Sequence, residues 1–123
     1  MTDARALPHL TRSGRITLLP GLHGTRDLFA RLERELAGGL AARVIAYPTD
    51  VPADYAQLTE LVIGSLGSEP TLLLGESFSG PIVIEVAARK PEHVAGLVLA
   101  ATFAKCPVFP PLLRLAAKLD CRR

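Results

Sequence analysis

Apolar residues come along this chain in short unbroken runs separated by amphipathic stretches. Ile16-Thr17-Leu18-Leu19, Val44-Ile45-Ala46-Tyr47, Thr71-Leu72-Leu73-Leu74 and Gly96-Leu97-Val98-Leu99-Ala100-Ala101 read as four buried strands. Pro20-Gly21 ends the first and Pro48 the second. Between them lie three stretches of helical spacing. From Thr25 to Ala37, Leu28, Leu32 and Leu36 recur every four residues with Phe29 beside them. Arg31, Glu33, Arg34 and Glu35 face away, and Gly38-Gly39 stops the helix. Asp54 is placed to cap a second helix with Tyr55, Leu58, Leu61, Val62 and Leu66 on its apolar side, closed by Gly67-Ser68. A third helix, Pro81 to Arg89, is apolar nearly all round, so it should be buried, and Pro91 ends it.

The order is strand, helix, strand, helix, strand, helix, strand. Strands that are continuous apolar runs belong in a parallel sheet covered on both faces. The fold expected is α/β, with about four parallel strands and helices on both faces. Three regions follow: an irregular leader over 1–14, the core over 15–103, and a tail over 104–123. In the tail, Pro107, Pro110 and Pro111 make a stiff connector to a short amphipathic helix, Leu112 to Leu119. Arg114, Lys118 and Arg122 recur there at helical spacing. Two readings stand for them: solvated charges, or a surface that meets a membrane or a partner.

Composition narrows the class. Hydrophobic residues are 49% and charged ones 21%, which excludes global disorder. With 4 Phe, 2 Tyr and no Trp, the core must be aliphatic. A net charge of +2, with no polybasic run, gives no case for nucleic acid. The basic excess sits at the two ends and the middle is acidic. Cys106 and Cys121 make neither a disulfide scaffold nor a zinc pattern. No apolar run approaches the ~18 residues of a membrane span, and the first 14 residues hold no apolar secretory core. A reduced, cytoplasmic setting is the expectation.

The chemistry is concentrated in the turn Gly75-Glu76-Ser77-Phe78-Ser79-Gly80, between the third strand and the buried helix. A serine there sits on a sharp turn beside a helix N-terminus, with small residues where a side chain would collide. By itself the turn also reads as a plain polar turn or a phosphate-binding helix start. In its strand–turn–helix setting it resembles the nucleophile elbow of the α/β-hydrolase family, G-x-S-x-G. Ser79 stands where that family usually has glycine, and Gly80 follows it.

Two further segments resemble the same family. Leu18-Leu19-Pro20-Gly21-Leu22-His23-Gly24-Thr25 is similar to the loop after its third strand, with Pro20 where many members have histidine. Lys90 to Leu99 is similar to the link from the nucleophile helix into the next strand. The resemblance implies a serine hydrolase of esters or thioesters, with Ser77 as nucleophile. It implies the backbone N–H groups of Leu22 and Phe78 as oxyanion donors. It implies no cofactor and no metal, and a serine nucleophile excludes the family branches that use aspartate.

The family order is nucleophile, then acid, then histidine. Only 46 residues follow Ser77, and their sole histidine, His93, enters the fourth strand at the opposite end of the sheet. His23 is nearer, on the loop after the first strand, and is the other histidine weighed as a base. Asp120 is the only acid late in the chain and reads as a solvated terminal residue. No residue carries over as the family's acid or base, so the 123 residues alone are expected to be inactive. The alternatives are a non-catalytic α/β binding module and a truncated gene relic. A dinucleotide-binding half-domain fails, because no G-x-G-x-x-G follows a strand.

On the family's layout the sequence reads as a truncated core, and the resemblance implies that the 104–123 tail is the start of the lid the family inserts there, its charges in water. The edge Gly96 to Phe103 would then be apolar and uncharged, and such edges self-associate unless covered. Either the tail helix shields it, a partner completes the sheet, or the chain is unstable, and the isolated protein is expected to be poorly soluble or to self-associate through that edge.

Overall fold

In the computed structural model, which describes residues 14–104, the apolar runs pair as a four-stranded parallel sheet. The strands are β1 (Arg15–Leu19), β2 (Ala41–Val44), β3 (Thr71–Glu76) and β4 (Val94–Ala100), in spatial order β2-β1-β3-β4. The helices are α1 (Ala30–Leu36), α2 (Tyr55–Ser65) and α3 (Gly80–Arg89). Three 3₁₀ turns, Asp27–Phe29, Ser77–Ser79 and Pro91–His93, lead into α1, α3 and β4.

Alternation along the central strands divides the core into two layers. Ile16, Leu18, Leu72 and Leu74 point to one face, where Phe29 is buried and Leu32 and Leu36 of α1 pack. Leu19 and Leu73 point to the other, against Leu58 and Val62 of α2 and Ile82, Val83 and Val86 of α3. Helices therefore cover both faces, as the continuous apolar runs require. Thr17 and Thr71 are buried polar residues on adjacent strands, and their hydroxyls bond each other at 3.0 Å. Asp54 caps α2 as the sequence suggests, in a reciprocal box: its carboxylate accepts from Gln57 N–H, and Gln57 Oε1 accepts from Asp54 N–H.

Three boundaries depart from the sequence reading. The second strand is Ala41–Val44, not Val44 to Tyr47. Beyond Val44 only Ile45 N–H still reaches β1, at Leu18 O, and Tyr47 N–H turns to Gly24 O. The first helix expected from Thr25 is a 3₁₀ turn followed by seven residues of α-helix. No side chain caps either, and the tighter turn takes Leu28 out of the apolar stripe, leaving it 71% exposed. The fourth strand begins at Val94 and stops at Ala100, because Ala101 turns out with φ +48°.

Among the described residues β4 forms one edge of the sheet, with Leu97 and Leu99 exposed. Among them, no helix is long and apolar enough to cross a membrane. The rest of the leader before Gly14 lies outside the described residues. So do the Pro107–Pro111 connector, the helix from Leu112, Asp120 and both cysteines.

Candidate active site

The sheet order reverses once. From β1 the chain moves outward to β2, then crosses back to place β3 on the other side of β1. The loops leaving β1 and β3 therefore diverge, opening a crevice at the carboxyl ends of those two strands. In open α/β sheets that is where ligands bind. The two loops are Pro20 to Thr25 and Glu76 to Gly80, the two segments singled out in the sequence.

Ser77 sits at the bend from β3 into α3 with φ +49°, a backbone conformation that non-glycine residues rarely adopt. Holding it there costs about 1–3 kcal/mol, which the surrounding packing must offset. The packing is visible on both sides of the turn. A Cβ on Gly75 would lie 2.8 Å from the carbonyl oxygen of Ser79 and 2.9 Å from Val83 Cγ2. A Cβ on Gly80 would overlap the side chain of Thr102. Freed of that clash, the Thr102 hydroxyl donates to the Ser77 carbonyl oxygen. The small residues of the motif thus let a strand, a helix start and the segment after β4 meet at one serine.

The loop after β1 closes on itself through Gly24, whose φ is +67° and whose N–H reaches Gly21 O at 2.9 Å. Two side chains of the serine turn grip its start. Glu76 Oε2 accepts from Gly21 N–H at 2.9 Å. The Ser79 hydroxyl, fully buried, donates to Pro20 O. With that hydrogen committed, the Tyr47 phenol is the donor in its 2.5 Å bond to Ser79 Oγ. Phe78 stands beside them, stacked on Tyr55 (centroids 4.6 Å apart) and edge-on to Tyr47.

Burial pushes the Tyr47 phenol well above its ordinary value near 10. Keeping it neutral favours the folded state only in one direction. The contribution is fully present below about pH 10 and is lost as pH rises beyond that, when the unfolded chain releases a proton the folded chain keeps. The thermal midpoint of the wild type should therefore fall more steeply than that of Tyr47→Phe above about pH 10. Parallel curves up to the alkaline limit of folding would contradict it.

Ser77 lines a cavity of about 180 Å³ together with Gly21, Leu22, His23, Glu76 and Leu28. An open cleft of about 400 Å³ continues from it past Tyr47, Val51, Leu58 and Phe78. Exposed apolar side chains stand at the mouths of both, Leu28 at the cavity (71% exposed), Val51 at the cleft (59%) and Leu22 at each (71%), while His23, Thr49 and Asp50 add polar groups to the cleft. Ser77, Leu22 and His23 are thus brought together, and Phe78 joins them on the cleft side. His93 is not, because it lies in the turn before β4, at the opposite end of the parallel strands. Its Nε2 is 3.5 Å from Glu92. Among the described residues, no group of three or more His, Cys, Asp or Glu could hold a metal ion.

Four contributors escaped the sequence reading. The sequence reads Tyr47 as a strand residue, Ser79 as a departure from a motif and Thr102 as part of the edge Gly96 to Phe103, and gives Glu76 no role. The one local signal was Ser79, a polar residue where a glycine would suffice.

A family model described as "Serine aminopeptidase, S33" matches residues 16–122. Among solved structures, the monoacylglycerol lipase of Paleococcus ferrophilus is similar, with TM-score 0.66 and 24% identity. The match covers 88% of this chain and 46% of that one, so the chain spans about half the length of the lipase. The likeness is one of fold. No curated protein matches the chain.

Proposed function

Because this chain belongs to the S33 serine aminopeptidase family, an α/β-hydrolase family, we propose that it carries the nucleophile of a serine hydrolase acting on ester or thioester bonds. The single observation that carries this reading is Ser77 at φ +49°, facing the Pro20–Gly24 loop across one small cavity at the switch point of the sheet. The family is one of serine aminopeptidases, and the similar solved structure is a monoacylglycerol lipase. Both attack an acyl carbon, and acyl transfer is the chemistry proposed for this site. A cytoplasmic setting is part of the proposal, since two isolated cysteines make no disulfide framework.

In the proposed reaction Ser77 Oγ attacks the acyl carbon and its proton passes to a base. The carbonyl oxygen becomes an oxyanion held by the N–H groups of Leu22 and Phe78. Collapse expels the alcohol or thiol, protonated by that base, and leaves the acyl group on Ser77. Water then attacks the acyl carbon, the acid departs, and Ser77 recovers its proton. The apolar cleft beside Phe78 and Val51 suits the hydrocarbon part of the acyl group.

Among the described residues no group in the family's chain order is placed to act as that base. Among the described residues the histidines are His23 and His93, and only His23 lines the cavity. It precedes the serine, against the family's chain order. The 123 residues by themselves are therefore proposed to acylate slowly and to turn over little.

p-Nitrophenyl acetate tests the reading. At most about one equivalent of p-nitrophenol per chain should be released above background, with acetyl left on Ser77, and Ser77→Ala should release none. Equal release from Ser77→Ala would remove Ser77 as the nucleophile. Sustained turnover would show that a base is supplied within these residues.

A further inference from the structure

The peptide unit between Pro20 and Gly21 is held at both of its polar atoms. Its carbonyl oxygen accepts from Ser79, and its N–H donates to Glu76. In a trans peptide these two atoms point to opposite sides of one plane, so two bonds fix the plane's rotation as well as its position. Both grips come from the serine turn, one residue before Ser77 and two after it. The bonds link residues 55 and 59 positions apart in the chain.

The surroundings of each partner suit it to that contact. Gly21 lacks the Cβ that would stand 3.1 Å from Glu76 Oε2, so the carboxylate can reach its N–H. Ser79 is fully buried and its hydroxyl is oriented by the phenol of Tyr47, itself 7% exposed. Glycine in place of Ser79 would satisfy the tight turn but would leave the Pro20 carbonyl without this donor.

We propose that Glu76 and Ser79 are positioning residues that clamp the Pro20–Gly21 peptide and thereby aim the next amide, Leu22 N–H, at the acyl oxygen. This rests on the reading of Ser77 and Leu22 given above. Ser79 is fully buried and Glu76, though it lines the cavity, is engaged by Gly21 N–H, so each acts through the loop. The clamp ties the loop that stabilises charge to the turn that bears the nucleophile, so the two move as one body. A misplacement of about 1 Å between such groups can cost on the order of a hundredfold in rate.

The test uses the full chain, with two readouts. The first is the rate at which an alkyl fluorophosphonate labels Ser77, measured by intact mass. Glu76→Ala and Ser79→Ala should each slow labelling about tenfold or more, while Glu76→Gln, which keeps an acceptor oxygen, should stay within about threefold of wild type. A merely structural role would not separate Glu76→Gln from Glu76→Ala at equal thermal stability. The second readout is hydrogen exchange of the Gly21 amide by NMR, which needs no reactivity at Ser77. It should speed up in Glu76→Ala and stay slow in Glu76→Gln. Folded alanine variants that label at the wild-type rate, or a Gly21 amide indifferent to Glu76→Ala, would overturn the proposal. If wild type is not labelled at all, the reading of Ser77 fails, and the amide exchange alone decides whether the peptide is clamped. If Ser79→Ala does not fold, the two Glu76 variants carry the test.

Discussion

Replacing Gly75 with alanine is expected to destabilise the domain by about 2–3 kcal/mol, because the added methyl has no room and its neighbours cannot yield. The nearest atom, at 2.8 Å, is a backbone oxygen of the serine turn, and the next, at 2.9 Å, is a methyl of fully buried Val83. Relief would require α3 to lift from β3, opening the layer that holds Ile82 and Val86. For a domain of this size the thermal midpoint should drop by roughly 10 °C or more. Gly38→Ala is the matched control. Its methyl meets open space and its φ is not positive, so the midpoint should stay unchanged or rise slightly, through a less flexible unfolded chain. Circular dichroism melts of both variants check this. A Gly75→Ala midpoint within a degree or two of wild type would mean that the turn adapts, and the tight-crossing explanation of the motif would fail.

Leu73→Ala should cost about as much or more, 2–5 kcal/mol, from lost burial plus the cavity left behind. Leu73 is fully buried at the centre of β3, between Thr17 of β1 and Leu97 of β4 in the ladder, and it packs toward α2 and α3. Leu97→Ala removes the same atoms from the neighbouring strand, at a site 39% exposed. Its cost should be no more than about half as large, since less apolar surface leaves contact. Denaturant titrations read both. The midpoint should shift with an unchanged slope, and equal costs at the two positions would contradict the half-exposed setting of Leu97 on β4.

Much of this architecture was legible because the two central strands are buried on both faces. Ile16 to Leu19 and Thr71 to Leu74 are runs apolar but for Thr17 and Thr71, and strand–helix alternation around them points to a covered parallel sheet. The serine turn was legible for a related reason: glycines at 75 and 80 are demanded by a crossing too tight for side chains.

What was not legible depends on partners distant in the chain. Ala41 to Val44 pair with β1 as the outer strand among the described residues, half exposed, so no apolar run marks them. Ile45 and Tyr47 look like strand residues because both are buried, yet Tyr47 is turned toward the serine turn 32 positions on. Leu28 has the spacing of a helix stripe, but a 3₁₀ turn presents it to the cavity of Ser77. Ser79 looked like a lapse from glycine until the carbonyl it satisfies, 59 positions back, came into view. Local spacing sets elements; it does not say which side chain will find which backbone atom across a loop.

The proposed nucleophile, Ser77, stands beside the proposed oxyanion donors of Leu22 and Phe78. The most direct measurement is the intact mass of the full chain after prolonged incubation with an excess of an alkyl fluorophosphonate, with the adduct mapped by peptide mass. The expected result is a single phosphonyl group on Ser77, absent from Ser77→Ala and from chain unfolded before exposure. An adduct that persists in Ser77→Ala, or a folded wild type that stays unlabelled, would contradict it.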